Sequence, residues 1–127
     1  MPETQPGREP KVDPPPATRA YPPGRFEVRS ERRGKDQVLA LSGELDLATA
    51  PHVETELQAA EATDVDQIIL DLCGLDFIDS TGLRLIINAD ARSKANGQRL
   101  KLLPGPPQVQ RIFEITATAD RLPFADR

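Results

Sequence analysis

The sequence predicts a single α/β domain in which a mixed, mostly parallel sheet of four to five strands packs against helices. Short apolar runs bounded by turn residues alternate along the chain with longer segments whose apolar residues recur at helical spacing. Strands that alternate with helices imply right-handed crossovers between parallel neighbours. Two strands in succession open the series, which makes the sheet mixed.

The first 24 residues are predicted to be a disordered, Pro-rich tail. Eight of the 13 prolines fall in residues 1–24, which hold few apolar residues, so this segment cannot bury enough surface to offset the entropy of ordering. A tail of this composition could also bind an SH3-like partner. The remaining residues 25–127 are enough for one domain and too few for two.

The first half of the domain predicts a hairpin followed by a helix. Residues 25–33 carry charges on both faces, which is typical of an edge strand. Gly34 to Asp36 forms a turn signal that leads into a more buried strand over Val38–Leu41. A helix starts near Thr49, which can cap it, and its buried face consists of Val53, Leu57 and Ala60. His52, on the opposite side of the first turn, is predicted to be a surface residue.

The second half of the domain also alternates strands with helices. A buried strand spans Gln67–Leu72, and a helix runs from about Ser80 to Gly97. A strand over Arg99–Leu103 is followed by a helix that opens at Pro106 and Pro107. The apolar faces of these two helices are predicted to be Leu83, Ile86, Ile87 and Ala91, and Val109, Ile112 and Phe113. Leu122 to Phe124 would add a short edge strand.

Composition and charge exclude several classes of function. The net charge is −4, and residues 36–83 contain 11 acidic residues and neither Lys nor Arg, whereas a nucleic-acid binder shows a basic stripe. No apolar run approaches the roughly 20 residues that span a bilayer, and no signal segment is present. The single cysteine, Cys73, excludes an intramolecular disulfide, fits a reducing cytoplasm and is predicted to be buried.

The sequence also predicts that the protein is not an enzyme and holds no cofactor. A hydrolytic triad would need a base near Ser80, but His52 is the only histidine, and no Gly-x-Ser-x-Gly elbow or Gly-rich phosphate loop occurs. Asp71, Asp76 and Asp79 are the only conceivable oxygen cluster for Mg²⁺. The strand ending near Asp71 is similar to the phosphoacceptor strand of response-regulator receiver domains, but the acidic pair and the lysine that those domains need are missing.

The central stretch of the chain is Asp76-Phe77-Ile78-Asp79-Ser80-Thr81-Gly82-Leu83. Ser80 lies where a strand gives way to a helix, so it is predicted to be the N-cap. A phosphate would also be favoured at this position, because it lies at the positive end of the helix dipole. The residues alone therefore leave two interpretations of Ser80, a structural cap and an anion-bearing site.

Two separated motifs resemble the STAS family of anti-sigma factor antagonists. They are Gly43-Glu44-Leu45-Asp46 with Thr49-Ala50-Pro51, and the central stretch from Asp76 to Leu83. The segment Gln110–Thr116 looks like the family's late helix, and the resemblance covers roughly Arg25 to Phe124. It implies the STAS fold for the domain.

The resemblance implies that Ser80 is a phosphoacceptor, with Thr81 a second candidate. The partner would be an anti-sigma factor with serine-protein kinase activity, bound through Glu44, Asp46, Asp76, Asp79, Ser80, Thr81 and Gly82. Free Ser80 would let the protein sequester this kinase and release a sigma factor, and phosphorylation would end binding by an electrostatic switch with little backbone change. The acidic residues around Ser80 favour a basic protein as the partner. The alternative is a STAS-fold scaffold that binds a protein without phosphorylation.

The family commonly carries one more C-terminal helix, whereas this sequence stops at Ala125-Asp126-Arg127. Less apolar area would then be covered on one face of the sheet. We therefore expect a monomer or weak self-association.

Overall fold

A computed structural model describes residues 13–21, 26–97 and 99–126. Within them the chain forms five strands and three helices. The strands are β1 (Ala17–Tyr21), β2 (Phe26–Arg33), β3 (Asp36–Leu45), β4 (Gln67–Ile78) and β5 (Leu100–Leu103), and the helices are α1 (Ala50–Glu61), α2 (Ser80–Ala95) and α3 (Pro107–Ile115).

The strands form one sheet in the order β1-β2-β3-β4-β5. The pairs β1–β2 and β2–β3 are antiparallel, whereas β3–β4 and β4–β5 are parallel and are joined through α1 and α2. The hairpin predicted at Gly34 is confirmed, with Arg33 opposite Asp36. The predicted fold class is confirmed: a single α/β domain with a mixed five-stranded sheet and helices packed on it.

One face of the sheet supplies the hydrophobic core. Alternate side chains of the strands are buried, and so are Val53 and Leu57 of α1, Ile86 of α2, and Val109 and Phe113 of α3. All of them belong to a single cluster, so the three helices share one core. The opposite face of the sheet carries both apolar and charged side chains. Val38, Ile69 and Asp71 are partly exposed there, and Arg29 is exposed.

The strand β1 corrects the prediction of an unstructured tail for Ala17–Tyr21. Its Tyr21 ring stacks on the His52 ring of α1, with centroids 3.9 Å apart, so His52 is half-buried by this contact. Arg19 pairs with Glu56 of α1 at 3.4 Å, and burial together with Glu56 raises the pKa of the Tyr21 phenol. Because β1 pairs with β2, the prediction that β2 is an edge strand is also wrong. Residues 1–12 and 22–24 of the predicted tail lie outside the described residues.

Several other elements differ from their predictions. β4 continues to Ile78, well beyond the predicted end at Leu72. Ile87 and Ala91 of α2 are exposed, and the buried face of this helix instead includes Leu85 and Ala89. Cys73 is exposed rather than buried.

The final apolar segment forms less structure than predicted. Phe124 makes only an isolated parallel bridge to Leu102, so Leu122 to Phe124 does not extend the sheet by a full strand. The Phe124 ring packs edge-on against the Phe113 ring of α3, with centroids 5.1 Å apart. Because this bridge is parallel, the segment that contains Phe124 runs in the same direction as β5. The chain therefore returns along α3 to the amino ends of the parallel strands before it reaches Phe124.

The substitution Ala117→Gly should stabilise the domain. Ala117 has φ of 58°, in the left-handed region where a Cβ atom is unfavourable. Glycine removes this strain but gives up more chain entropy, so we expect a net gain of about 0.5–1 kcal/mol in the free energy of unfolding, measured by urea denaturation. The same substitution at the exposed Ala59 inside α1 is the control, and it should cost about 1 kcal/mol. A loss of stability in Ala117→Gly would contradict this account.

Candidate functional site

The predicted site residues come together because β3 and β4 end side by side. These parallel strands pair Glu44 with Phe77 and Leu45 with Ile78. The Asp79 N–H donates to the Leu45 carbonyl at 3.2 Å, which extends the contact beyond the ladder. The two connections that leave β3 and β4 are thereby held together. We call the carboxylates at these two strand ends and just after them, Glu44, Asp46, Asp76 and Asp79, the acidic edge.

Asp46 and Thr49 shape the connection between β3 and α1. The Asp46 Oδ1 atom accepts hydrogen bonds from the N–H groups of Ala48 at 3.0 Å and Thr49 at 3.2 Å. The buried Thr49 hydroxyl accepts from the Asp46 N–H at 2.9 Å and donates to the Glu44 carbonyl at 2.8 Å. Thr49 is the N-cap residue of α1 as predicted, but its side chain makes no capping bond. It ties the end of β3 to the turn instead.

Asp79, and not Ser80, is the N-cap of α2. Its Oδ1 atom accepts hydrogen bonds from the N–H groups of Thr81 at 2.9 Å and Gly82 at 3.0 Å. Ser80 is the first residue of the helix. The prediction that Ser80 caps the helix is therefore wrong by one residue. The Asp79 carboxylate also occupies two of the N–H donors that were expected to favour a phosphate.

The Ser80 side chain is exposed to solvent. Its hydroxyl makes no hydrogen bond within the described part of the chain. The Thr81 side chain is half-buried, so the second candidate acceptor is less accessible. The Ser80 hydroxyl therefore stabilises no contact in the described part of the chain and is accessible to solvent.

Gly82 sets how closely α2 approaches the strand ends. A Cβ atom at this buried position would lie 2.8 Å from Ile78 Cγ1 and 2.9 Å from Leu45 Cγ. A side chain would therefore push the start of α2 away from both strands. Gly82 is buried against these strands, so its effect on a partner would come through the position of Ser80.

The remaining carboxylates of the acidic edge differ in their surroundings. The register between β3 and β4 shifts after Gly43, so Asp76 has no partner residue on β3 and forms a bulge. Asp76 is exposed, whereas Glu44 is half-buried. The bulge leaves an additional exposed charge four residues before the start of α2.

Two exposed apolar side chains at the same edge were missed by the sequence analysis. Leu47, next to Asp46, is 74% exposed, and Phe77, opposite Glu44, is 49% exposed. The sequence did contain a signal for Leu47, which lies in a connection rich in polar residues. An exposed leucine does not stabilise such a connection, so its presence indicates another role. The edge is therefore both acidic and apolar, a composition that suits a protein-binding surface.

Asp71 lies inside β4, between Ala40 and Leu103, and its Oδ1 atom accepts from the Cys73 N–H at 2.9 Å, so it does not join the acidic edge. Among the described residues, no group of three or more His, Cys, Asp or Glu side chains could hold a metal ion. In the same residues, no helix is long and apolar enough to cross a membrane.

Comparison with known proteins identifies the family. Residues 27–127 match the family described as STAS domain. The chain belongs to the STAS domain family. The predicted resemblance is thereby confirmed, and it extends from the start of β2 through the segment that follows α3.

Relatives and solved structures also match most of the chain. An anti-sigma-B factor antagonist of Staphylococcus aureus is 28% identical over 95 residues, which are 75% of this chain and 88% of that protein. The fold also matches an anti-sigma factor antagonist from Mycobacterium paratuberculosis at a TM-score of 0.71 and 23% identity, covering 83% of this chain and 88% of that one. The Bacillus cell fate determinant SpoIIAA in its phosphorylated form matches at a TM-score of 0.62 and 24% identity, covering 79% and 90%.

The substitution Asp79→Ala should destabilise the domain, whereas Ser80→Ala should not. Asp79 supplies both capping bonds of α2, and its loss should cost about 1 kcal/mol in the free energy of unfolding, measured by urea denaturation. The Ser80 hydroxyl has no partner among the described residues, so its removal should change this free energy by less than about 0.5 kcal/mol. Equal losses in the two variants would show that Ser80 shares the capping role.

Proposed function

We propose that this STAS domain is an anti-sigma factor antagonist whose activity is controlled by phosphorylation of Ser80. With Ser80 free, the acidic edge binds an anti-sigma factor that is also a serine-protein kinase, and a sigma factor is released. Transfer of a phosphoryl group to Ser80 ends this binding. The protein acts in the cytoplasm as the substrate of a kinase and is not itself an enzyme.

The observation that carries this proposal is the exposed hydroxyl of Ser80 beside an Asp79 that already caps α2. A phosphoacceptor must enter the active site of a kinase, so an exposed hydroxyl with no internal bond is suited to the role. Phosphorylation adds about −1.5 to −2 units of charge next to the carboxylates of the acidic edge. Repulsion and loss of fit would then weaken the complex without refolding of the domain.

Two comparisons support the proposal. Relatives such as the Staphylococcus aureus protein are named anti-sigma-B factor antagonists, and the matched region covers most of their length. The structural neighbour SpoIIAA is known in a phosphorylated form, so a protein of this fold can carry the modification.

The chemistry of the edge also supports a partner with a particular kind of surface. Four carboxylates favour a surface rich in Lys and Arg, and such charge complementarity mainly speeds association. Leu47 and Phe77 supply apolar area that can be buried in the complex. A basic, partly apolar surface beside the nucleotide site of a kinase would satisfy both requirements.

Phosphorylation of Ser80 is tested by intact-mass and peptide mass spectrometry. The full chain is incubated with ATP and, one at a time, with each purified anti-sigma factor kinase of the source organism. We expect one added phosphoryl group, mapped to Ser80 and absent from Ser80→Ala. The variant Thr81→Ala is the control and should be modified normally.

Other outcomes would change the assignment. Phosphate on Thr81 would move the acceptor by one residue. A stable complex with a kinase but no phosphate would favour the scaffold that binds without modification. The absence of both with every kinase of the organism would contradict the proposal.

Leu47 should contribute to partner binding without contributing to folding. Because its side chain is 74% exposed, Leu47→Ser should leave the free energy of unfolding nearly unchanged and weaken the complex about tenfold. Calorimetric titration of the unphosphorylated protein with its kinase measures this effect. Ile115, 75% exposed at the end of α3 that points away from the acidic edge, provides the matched control. Similar losses in Ile115→Ser would contradict the assigned surface.

A further inference from the structure

We propose that Arg84 is a positioning residue for the phosphorylated state, holding the phosphate of modified Ser80 against the exposed face of α2. This inference rests on the proposed function only in taking Ser80 as the acceptor. It concerns what stabilises the modified protein, which the sequence had assigned to the N-terminus of α2.

The N-terminus of α2 is poorly able to hold the phosphate by itself. The N–H groups of Thr81 and Gly82 already donate to Asp79 at 2.9 and 3.0 Å. The Leu83 N–H donates to the Asp79 carbonyl at 3.0 Å. A phosphate on Ser80 would have to displace a carboxylate to reach these donors, and it would meet the negative charge of that carboxylate first.

Arg84 is placed to take over this role. It lies four residues after Ser80 within α2, and residues at this spacing are neighbours on the surface of a helix. Both side chains are exposed. An acidic group one turn before a basic group is also the favourable order with respect to the helix dipole.

Arg84 is also available for this contact. Its guanidinium makes no hydrogen bond or ion pair with any other residue that the structure describes, whereas Arg92 of the same helix is bound to Glu54 and Glu61. The segments 44–49 and 76–83 that form the edge contain no Lys or Arg. The charged residues of these two segments are the carboxylates of Glu44, Asp46, Asp76 and Asp79. Arg84 supplies the opposing positive charge, and its planar fork can bind two phosphate oxygens.

The test uses the full chain with phosphoserine incorporated at position 80 during translation, so it needs no kinase. The second pKa of the phosphate, near 6 in a free phosphoserine, is followed by ³¹P NMR as a function of pH. Because Arg84 favours the doubly charged form, Arg84→Gln should raise this pKa by about 0.3 unit. Arg84→Lys should retain most of the effect, and Arg111→Gln, an exposed cation on α3, should leave the pKa unchanged.

A second readout is the thermal midpoint in a double-mutant cycle. Arg84→Gln should lower Tm by about 2 °C more in the phosphorylated protein than in the unphosphorylated one. An unchanged phosphate pKa in Arg84→Gln, or equal changes in Tm for both forms, would overturn the proposal. Because the phosphate is introduced without a kinase, these results stand whether or not Ser80 is phosphorylated in the cell.

Discussion

The parallel pairing of β3 with β4 is the constraint on which the site depends. The pairs Glu44–Phe77 and Leu45–Ile78, together with the Asp79 N–H bond to Leu45, bring the two connections to one edge. Neither connection contains a complete site alone. Since the carboxyl ends of parallel strands lie at the same edge of a sheet, residues far apart in sequence are positioned by backbone geometry rather than by direct side-chain contacts.

The edge divides structural and functional roles between adjacent residues. Asp79 caps α2, Gly82 allows the helix to approach the strands, and Asp46 closes its own turn. Ser80 lies among these constrained residues, and its hydroxyl makes none of the bonds that hold them. A hydroxyl that is rigidly presented but structurally dispensable can be modified without disturbing the fold, which a capping serine could not be.

The sequence predicted the order of the elements from β2 to α3 because apolar periodicity is strong in β3, α1 and the first half of β4. The prediction failed where the structure depends on contacts between distant residues or on the exact residue that caps a helix. Asp and Ser are equally good capping residues, so the pattern could not distinguish Asp79 from Ser80. The extra residues of β4 interrupt the alternation of buried and exposed side chains after Leu72. The sequence pattern therefore did not show how long this strand is. The contact of Tyr21 with His52 depends on the folded sheet, and nothing in the local sequence of β1 reveals it.

The combination of charge and apolar surface explains why a small modification could end binding. The carboxylates would steer the proposed basic partner to the edge, but exposed charges contribute little net affinity because water already solvates them. Leu47 and Phe77 can contribute affinity only if the surfaces come into close contact. A phosphate on Ser80 would bring a large hydrated group into that contact, and its ion pair with Arg84 would keep the group there. The proposed switch would then act mainly by preventing burial of the apolar residues, with the added repulsion as the smaller effect.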